Sequence, residues 1–295
     1  MLKMTATTAL AAVAIVIAPA PVQIAGRAGQ PPAQQGGAAG GRGGRGGAPP
    51  APAPAFTRTP GGKPDMQGYW NSSGFNAAVF EVQDHPVARP GIAAGRGAIV
   101  DPPDSRIPYQ RWAAAKAIDN FEHHMYNEPE LHCFQSGTPK QMWVQFGFQI
   151  VQSPGYVVML WEFMHANRII PTDGRPHISA NIKLFQGDPV GHWEGNTLVV
   201  DTTSLNDKTW FDLAGNFHSE AMHVVERFTP VDANRITYEA VIEDTQAYTR
   251  PWKIAGGFAR NTQPSYEQME FACIEGNKDL QHYIEEAGGK SKKAQ

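Results

Sequence analysis

The chain has 295 residues, with 25 Lys and Arg against 28 Asp and Glu, and a formal net charge of −3 at pH 7. This balance lacks the basic surplus with which proteins bind nucleic acid and other polyanions, so we expect no nucleic-acid partner. The length leaves room for one large or two small domains after the N-terminal segments.

Residues 1–20 have the three parts of a secretory signal peptide. Lys3 supplies a positive charge, residues 9–17 form an apolar run, and residues 18–20 (APA) offer small residues for cleavage. The apolar run is shorter than the about 20 residues that a membrane-spanning helix needs. The sequence therefore predicts a periplasmic or secreted protein without stable membrane insertion of the mature chain.

Residues 21–56 form a segment rich in Gly, Pro and Ala. It contains almost no side chain whose burial could offset the entropy cost of ordering, so we expect a disordered linker. Its arginines, Arg27, Arg42 and Arg45, resemble those of nucleic-acid-binding RGG segments. An exported chain meets little nucleic acid, and a flexible spacer is therefore the preferred interpretation. A single β-rich domain is predicted over 57–290.

The first strong pattern in that domain is helical. Three consecutive alanines at 113–115 favour a helix, and Pro129 ends the pattern. Residues that recur at helical spacing are Trp112, Lys116, Asp119 and His123. We expect one helix over about residues 109–126, packed across an opening of the β-structure that follows.

From residue 141 onward, apolar and aromatic runs alternate with turn sequences. The turns are SPGY (153–156), TDGR (172–175), EGN (194–196) and DANR (232–235), and a last strand is predicted in YEQMEFACIE (266–275). Strand spacing of roughly 10–20 residues, without β-α-β alternation or a glycine-rich phosphate loop, is typical of antiparallel sheets. The sequence therefore predicts a mainly β fold, an antiparallel β-barrel or half-barrel with one flanking helix.

The two cysteines of the chain, Cys133 and Cys273, predict a disulfide. An even pair in an exported protein favours a bridge, and the absence of CxxC spacing makes a zinc or redox site a poor alternative. We expect the bridge to tie the loop after the helix to the last strand.

The densest polar stretch is EFMHANRIIPTDGRPH (162–177). It predicts a strand, a turn at Asp173–Gly174 and a return segment at a pocket rim, because glycine accepts the positive φ of such a turn. Asp173 is then structural, and the Arg and His beyond the turn, Arg175 and His177, stay solvated and need no function.

Within this stretch Arg168 precedes Ile169 and Ile170, which should anchor the strand in the core. An arginine held there needs a partner, and either Glu162 or Glu226 could provide it. A buried pair at a pocket would let Arg168 bind a substrate carboxylate or oxyanion. The catalytic candidates are His165, Arg168, His223 and Glu226, with His165 transferring protons.

Other side chains suit ligand contact, because Trp and Tyr beside polar groups at loop mouths bind amphipathic molecules. The candidate substrate-binding residues are Glu162, Trp193, Trp210, His218, Tyr248 and Trp252. Tryptophans that plug the barrel ends are an equally good alternative. No organic cofactor is predicted, and a divalent metal remains possible through His165, His218 and His223. A Ser–His–Asp triad is not supported, since no GxSxG occurs.

Several segments together carry a family resemblance: IPYQRWAAAKAIDN and PELHCFQSGTPKQM, FMHANRIIPTDGRPH, GHWEGNTLVVDTTSLNDKTWF, and HVVERFTPVDANRITYEAVIEDTQAYTRPW. They resemble a large family of exported bacterial proteins of unassigned function, over most of residues 64–277. The resemblance implies recurring cysteines at the positions of Cys133 and Cys273, and it implies no reaction. The sequence MQGYW (66–70) resembles the GxW element that opens lipocalin-like, or calycin, barrels.

Two function classes follow. One is an exported enzyme, a lyase, isomerase or hydrolase, that acts on a small polar organic metabolite by His/carboxylate acid–base chemistry in a barrel pocket. The alternative is a non-catalytic periplasmic barrel that binds a small molecule with the same residues. A structural role in the cell envelope is a third reading. Convergence of the four catalytic candidates on one cavity would favour the enzyme, and scattered positions would favour a structural role.

Overall fold

The computed structural model describes residues 56–75, 78–86, 94–144, 146–278 and 280–282. All of them belong to one compact unit, residues 51–295. The predicted signal peptide, and the predicted linker except its last residue, lie outside the described residues. Within the described part of the chain, no helix is both long and apolar enough to cross a membrane.

The described chain is mainly β. Its strands are β1 (Gly68–Ser73), β2 (Ile99–Asp101), β3 (Phe148–Ser153), β4 (Tyr156–Trp161), β5 (Asn167–Pro171), β6 (Asp188–Glu194), β7 (Thr197–Thr203), β8 (His223–Asp232), β9 (Arg235–Glu243) and β10 (Trp252–Arg260). The α-helix α1 spans Arg111–His123, and short 3-10 helices span Met125–Asn127, Pro129–His132, Lys140–Met142 and Phe163–His165.

The strands form one antiparallel sheet in the order β5-β4-β3-β1-β10-β9-β8-β7-β6, with β2 paired to β10 beside this path. The two terminal strands, β5 and β6, approach each other and nearly close the sheet into a barrel. A Cβ on Gly191 would lie only 2.8 Å from Cγ2 of Ile170, so the seam between these strands needs a glycine there. The predicted mainly β, antiparallel barrel is confirmed.

Three hairpins turn where the sequence predicts. Ser153 pairs with Tyr156, Glu194 pairs with Thr197, and Asp232 pairs with Arg235, so each turn contains two residues. Period-2 alternation then sends every second side chain of each strand inward. Large apolar groups fill the interior, among them Trp70, Phe148, Phe228, Tyr238, Trp252 and Phe258.

Helix α1 lies inside the predicted range and packs on the connection between β7 and β8. It buries Ala113, Ala117 and Asn120. The side-chain amide of Asn120 donates to the Gly215 carbonyl at 3.1 Å. Gly215 has φ 79°, and a Cβ there would lie 2.6 Å from the Ala117 carbonyl oxygen. Close helix–loop contact therefore fixes the helix against the barrel.

The predicted disulfide between Cys133 and Cys273 is present, with Cα atoms 5.7 Å apart. The predicted last strand at 266–275 is wrong, because the described residues there form turns and irregular chain. Side chains rather than a ladder hold this segment to the barrel: Tyr266 Oη and the Met269 N–H both donate to Glu162 Oε1, at 3.0 and 2.8 Å. The bridge therefore joins two loops.

The predicted strand at 162–166 is also wrong. These residues include a 3-10 turn in which Met164 and His165 have φ of 56° and 48°. Left-handed backbone breaks the pleat, so the strand starts only at Asn167. The turn at Asp173–Gly174 is as predicted: Gly174 has φ 81°, and the Asp173 carboxylate binds Arg175, which holds the pKa of Asp173 down at about 2.

Candidate ligand site at the barrel mouth

Arg168 and Glu226 meet inside the barrel. Arg168 Nη1 donates to Glu226 Oε1 at 3.0 Å, and Nη2 donates to Oε2 and, at 3.2 Å, to Thr202 Oγ1. Tyr238 Oη donates to Glu226 Oε1 at 2.9 Å. Of the two partners expected for Arg168, Glu162 and Glu226, it is Glu226 that Arg168 contacts.

Both side chains of this pair have 0 % exposure. Burial opposes the charge of Arg168, but the attraction of Glu226 outweighs it and raises the pKa of Arg168. Burial, followed by the charge of Glu226, raises the pKa of Tyr238 well above its usual value. A network this enclosed presents no group to a dissolved substrate, and its contacts are those of a structural brace.

The other two catalytic candidates lie elsewhere. His165 is exposed on the 3-10 turn before β5, and His223 points to the outer face of β8, opposite to Glu226. The four catalytic candidates therefore do not converge on one cavity, and the arrangement that would have favoured the enzyme is not present among them. These four residues therefore have no common site at which they could act together as acids and bases.

His218 is buried in the loop before β8. Its Nδ1 faces the Ser219 carbonyl at 3.0 Å, so Nδ1 carries the proton and Nε2 accepts from Thr209 Oγ1 at 2.8 Å. Burial lowers the pKa of His218, consistent with a neutral ring. Among the described residues, no group of three His, Cys, Asp or Glu is placed to hold a metal ion, the predicted His165, His218 and His223 included.

Two of the predicted binding aromatics belong to the core. Trp252 is buried against Phe211, with ring centroids 5.3 Å apart. Tyr248 is buried too, and its hydroxyl donates to the Phe217 carbonyl at 3.0 Å. Trp210 is half-buried and pairs through its backbone with Phe217. Glu162, the remaining polar candidate, holds the C-terminal segment.

Trp193 differs, because its ring lines a cleft. It follows Gly191 on the inward face of β6, close to the hairpin end of the barrel, and is half-buried. The cleft has a volume of about 480 Å³. Side chains that line this mouth cleft include Lys63, Gln67, Gln152, Tyr156, Thr172 and Trp193.

The wall of the mouth cleft opposite β6 is fixed by the segment before β1. Gln152 of β3 accepts from the Met66 N–H at 2.6 Å and donates to the Pro64 carbonyl at 3.1 Å. Arg58 donates to the Asn196 side chain in the β6–β7 turn at 3.0 Å. These bonds hold the chain around Lys63 beside Trp193, so the cleft exists before any ligand arrives.

The electrostatics of the mouth cleft are simple. Among the described residues that line it, Lys63 is the one Lys, Arg, His, Asp or Glu, and its Nζ lies 5.9 Å from the centre of the Trp193 ring. The arrangement offers one aromatic face, a cation at its edge, and amide and hydroxyl groups around them. It provides contacts for binding, and the described lining residues include no His, Cys, Asp or Glu that could act as a general base or activate a hydroxyl group.

A second polar cluster, the outer His–Asp chain, lies on the outside of β6 to β9. His177 Nδ1 faces Asp188 Oδ2 at 2.9 Å, and His177 Nε2 faces Asp201 Oδ1 at 3.1 Å. His223 Nε2 contacts the same Asp201 oxygen at 3.0 Å, and its Nδ1 lies 3.7 Å from Glu243. The sequence interpretation gave His177 no function, because nothing local indicates that its loop returns over β7.

No protein-family model matches this chain, and no curated protein is similar to it. The predicted likeness to exported bacterial proteins and to lipocalin-like barrels stays a prediction. The inference about function therefore starts from the geometry of the mouth cleft.

Proposed function

We propose that this protein binds a small amphipathic organic molecule in the mouth cleft. The observation that carries the proposal is the half-buried Trp193 ring, which forms one wall of a cleft of about 480 Å³. Small-molecule sites have volumes of about 300–1,000 Å³ and combine aromatic walls with a few polar groups. A flat ring or sugar face would stack on Trp193 while polar substituents contact the rim.

Binding without catalysis fits the geometry better than the predicted reaction. Arg168 and Glu226 bind each other inside the barrel with no exposed side-chain surface, and the two candidate histidines lie away from them. An enzyme of the lyase, isomerase or hydrolase type is the second candidate. It is favoured by the outer His–Asp chain, where half-exposed His177 and His223 flank Asp201 and could exchange protons with a ligand.

We also propose that the protein works outside the cytoplasm. The Cys133–Cys273 disulfide suits an oxidising compartment, in which such bridges persist. The predicted signal peptide at residues 1–20 points to the same location. Export to the periplasm or the medium would place the mouth cleft in contact with dissolved metabolites.

The proposal is tested by a thermal-shift screen of the mature protein against pools of small organic molecules, because a ligand that binds only the folded state raises the melting temperature. Trp193→Leu should weaken binding of any hit by about tenfold or more, since stacking and burial on the ring are lost. Trp112→Leu is the matched control, because Trp112 is 49 % exposed on α1, away from the cleft. Equal affinities in the two variants would refute the site.

A further inference from the structure

We propose that the ligand of the mouth cleft is an organic acid whose carboxylate binds Lys63, an inference that rests on the proposed binding function. Lys63 forms no ion pair with another described residue and is exposed beside the Trp193 ring. Asp65, two residues away, has its Oδ1 occupied by the N–H and side-chain amide of Gln67, at 3.0 and 3.3 Å. The cation is therefore open to a ligand.

The surroundings of Lys63 favour an anion over a neutral molecule. The described lining of the mouth cleft contains no Asp or Glu that would repel a carboxylate. Arg58, the next cation along the chain, is engaged with Asn196 and the Gly62 carbonyl. Since Nζ stands 5.9 Å from the ring centre, a molecule that stacks on Trp193 can place a carboxylate against Lys63 at the same time.

Two probes that differ only in charge test this inference, 3-phenylpropanoate and 3-phenylpropanamide, with binding measured by calorimetry. In the unaltered protein the acid should bind at least about fivefold more tightly, and added salt should reduce that advantage. Lys63→Gln should remove the advantage and leave the affinity for the amide unchanged. Lys208→Gln is the control, because Lys208 is exposed on a distant loop.

The outcomes separate the two proposals. If Lys63→Gln leaves the preference for the acid intact, or if acid and amide bind equally, the inference about Lys63 is wrong while the binding site stands. If neither probe binds, or if Trp193→Leu changes the affinity for neither, the proposed function fails with it.

A different set of contacts carries a second inference: we propose that the outer His–Asp chain is a proton-dependent clasp. It fastens the crossover segment, residues 172–187, which joins β5 to β6 and runs back over the outer face of the barrel. A neutral imidazole has one N–H, yet both ring nitrogens of His177 face carboxylate oxygens, at 2.9 and 3.1 Å. Only the imidazolium form can donate to both.

Groups from each neighbouring strand face the clasp. Asp188 comes from β6, Asp201 from β7, His223 from β8 and Glu243 from β9, so three carboxylates surround two imidazoles. On the crossover segment itself, Arg175 is engaged with Asp173 and Tyr156. When His177 loses a proton, one of its nitrogens presents a lone pair to a carboxylate. Deprotonation therefore loosens the segment.

Hydrogen exchange of the crossover segment tests the clasp. We expect greater protection of its amides at about pH 5.5 than at about pH 8.5, after correction for intrinsic exchange rates, because histidine changes charge in this range. His177→Gln should lose this dependence, since an amide donates to one carboxylate and has no proton to release. His192→Gln is the control, as His192 is exposed on β6 and contacts Glu194.

A direct reading comes from the ¹⁵N chemical shifts of the His177 ring. Two protonated ring nitrogens at about pH 5.5 and one at about pH 8.5 would support the clasp. A neutral tautomer at about pH 5.5, or protection of the segment that does not change with pH, would overturn it.

Discussion

The guanidinium of Arg168 on β5 and the carboxylate of Glu226 on β8 form a bidentate pair within the barrel. Strands β5 and β6 are the two ends of the sheet, so the pair acts across the seam of the barrel. The same guanidinium reaches Thr202 on β7. Side-chain hydrogen bonds at the seam thus connect strands that lie far apart in the strand order of the sheet.

Removing one member of this pair should be costly. Arg168→Met leaves Glu226 buried without its cation, and we expect a loss of about 3–5 kcal/mol in the free energy of unfolding. Arg168→Lys should also destabilise, because an ammonium cannot form the bidentate contact. Chemical denaturation measures both.

The double variant Arg168→Met/Glu226→Leu supplies the control. Replacing both charges with apolar groups removes the buried, uncompensated carboxylate, so the double variant should be more stable than Arg168→Met alone. If the free energy of unfolding of Arg168→Met lay within about 1 kcal/mol of that of the unaltered protein, the structural role of the pair would be contradicted.

The hairpins could be predicted from sequence because their signals are local. Two-residue turns such as Gly195–Asn196 sit between alternating runs, and the register follows from the turn. The choice of Glu226 over Glu162 as the partner of Arg168 could not be predicted, because it depends on how the sheet closes. Likewise, His177 meets Asp201 only after the crossover segment folds back over β7.

The disulfide offers a second test. The bridge joins residues that are 140 positions apart, and closing so long a loop restricts the unfolded chain strongly. Replacing both Cys133 and Cys273 with Ser should lower the free energy of unfolding by about 2–5 kcal/mol. Denaturation with and without reductant measures it. Reductant should destabilise the unaltered protein and leave the double variant unchanged, and an effect on the variant would point to another cause.

Asp212 gives a pH prediction. Burial raises the pKa of Asp212 to about 6 from 3.8, although the Val82 N–H and Asn216 donate to it. Because the folded pKa is the higher one, the folded state holds this proton more tightly than the unfolded state. The contribution of Asp212 to stability is therefore full below about pH 4 and lost as pH rises to about 6, by up to about 3 kcal/mol.

Asp212→Asn isolates that contribution. The variant lacks the titrating group, so its free energy of unfolding should fall less between about pH 4 and about pH 6 than that of the unaltered protein. The comparison uses the slopes of the free energy of unfolding against pH, because the amide also lacks one of the two acceptor oxygens and the variant is less stable throughout. Parallel slopes would show that Asp212 does not take up a proton in this range.

A buried lysine with two carboxylate partners provides the last prediction. Lys140 Nζ lies 2.9 Å from Glu128 Oε1 and 2.9 Å from Glu130 Oε1, and both Lys140 and Glu128 are almost fully buried. Burial opposes the charge of Lys140, but the two carboxylates outweigh it and raise the pKa of Lys140; burial likewise raises the pKa of Glu128. Lys140 is therefore the cation that faces two neighbouring carboxylates, and its charge opposes the effect of burial on the pKa of Glu128.

Lys140→Met should lower the free energy of unfolding by about 3–5 kcal/mol at neutral pH, because two uncompensated carboxylates remain. Without the cation, nothing from Lys140 opposes the burial of Glu128, which then binds a proton more readily in the folded state than in the unfolded state, so the variant gains stability as pH falls. The difference in the free energy of unfolding between the variant and the unaltered protein, measured by urea denaturation, should thus become smaller as pH falls from about 7 to about 5. A difference that stays constant with pH would mean that the loss comes from packing alone.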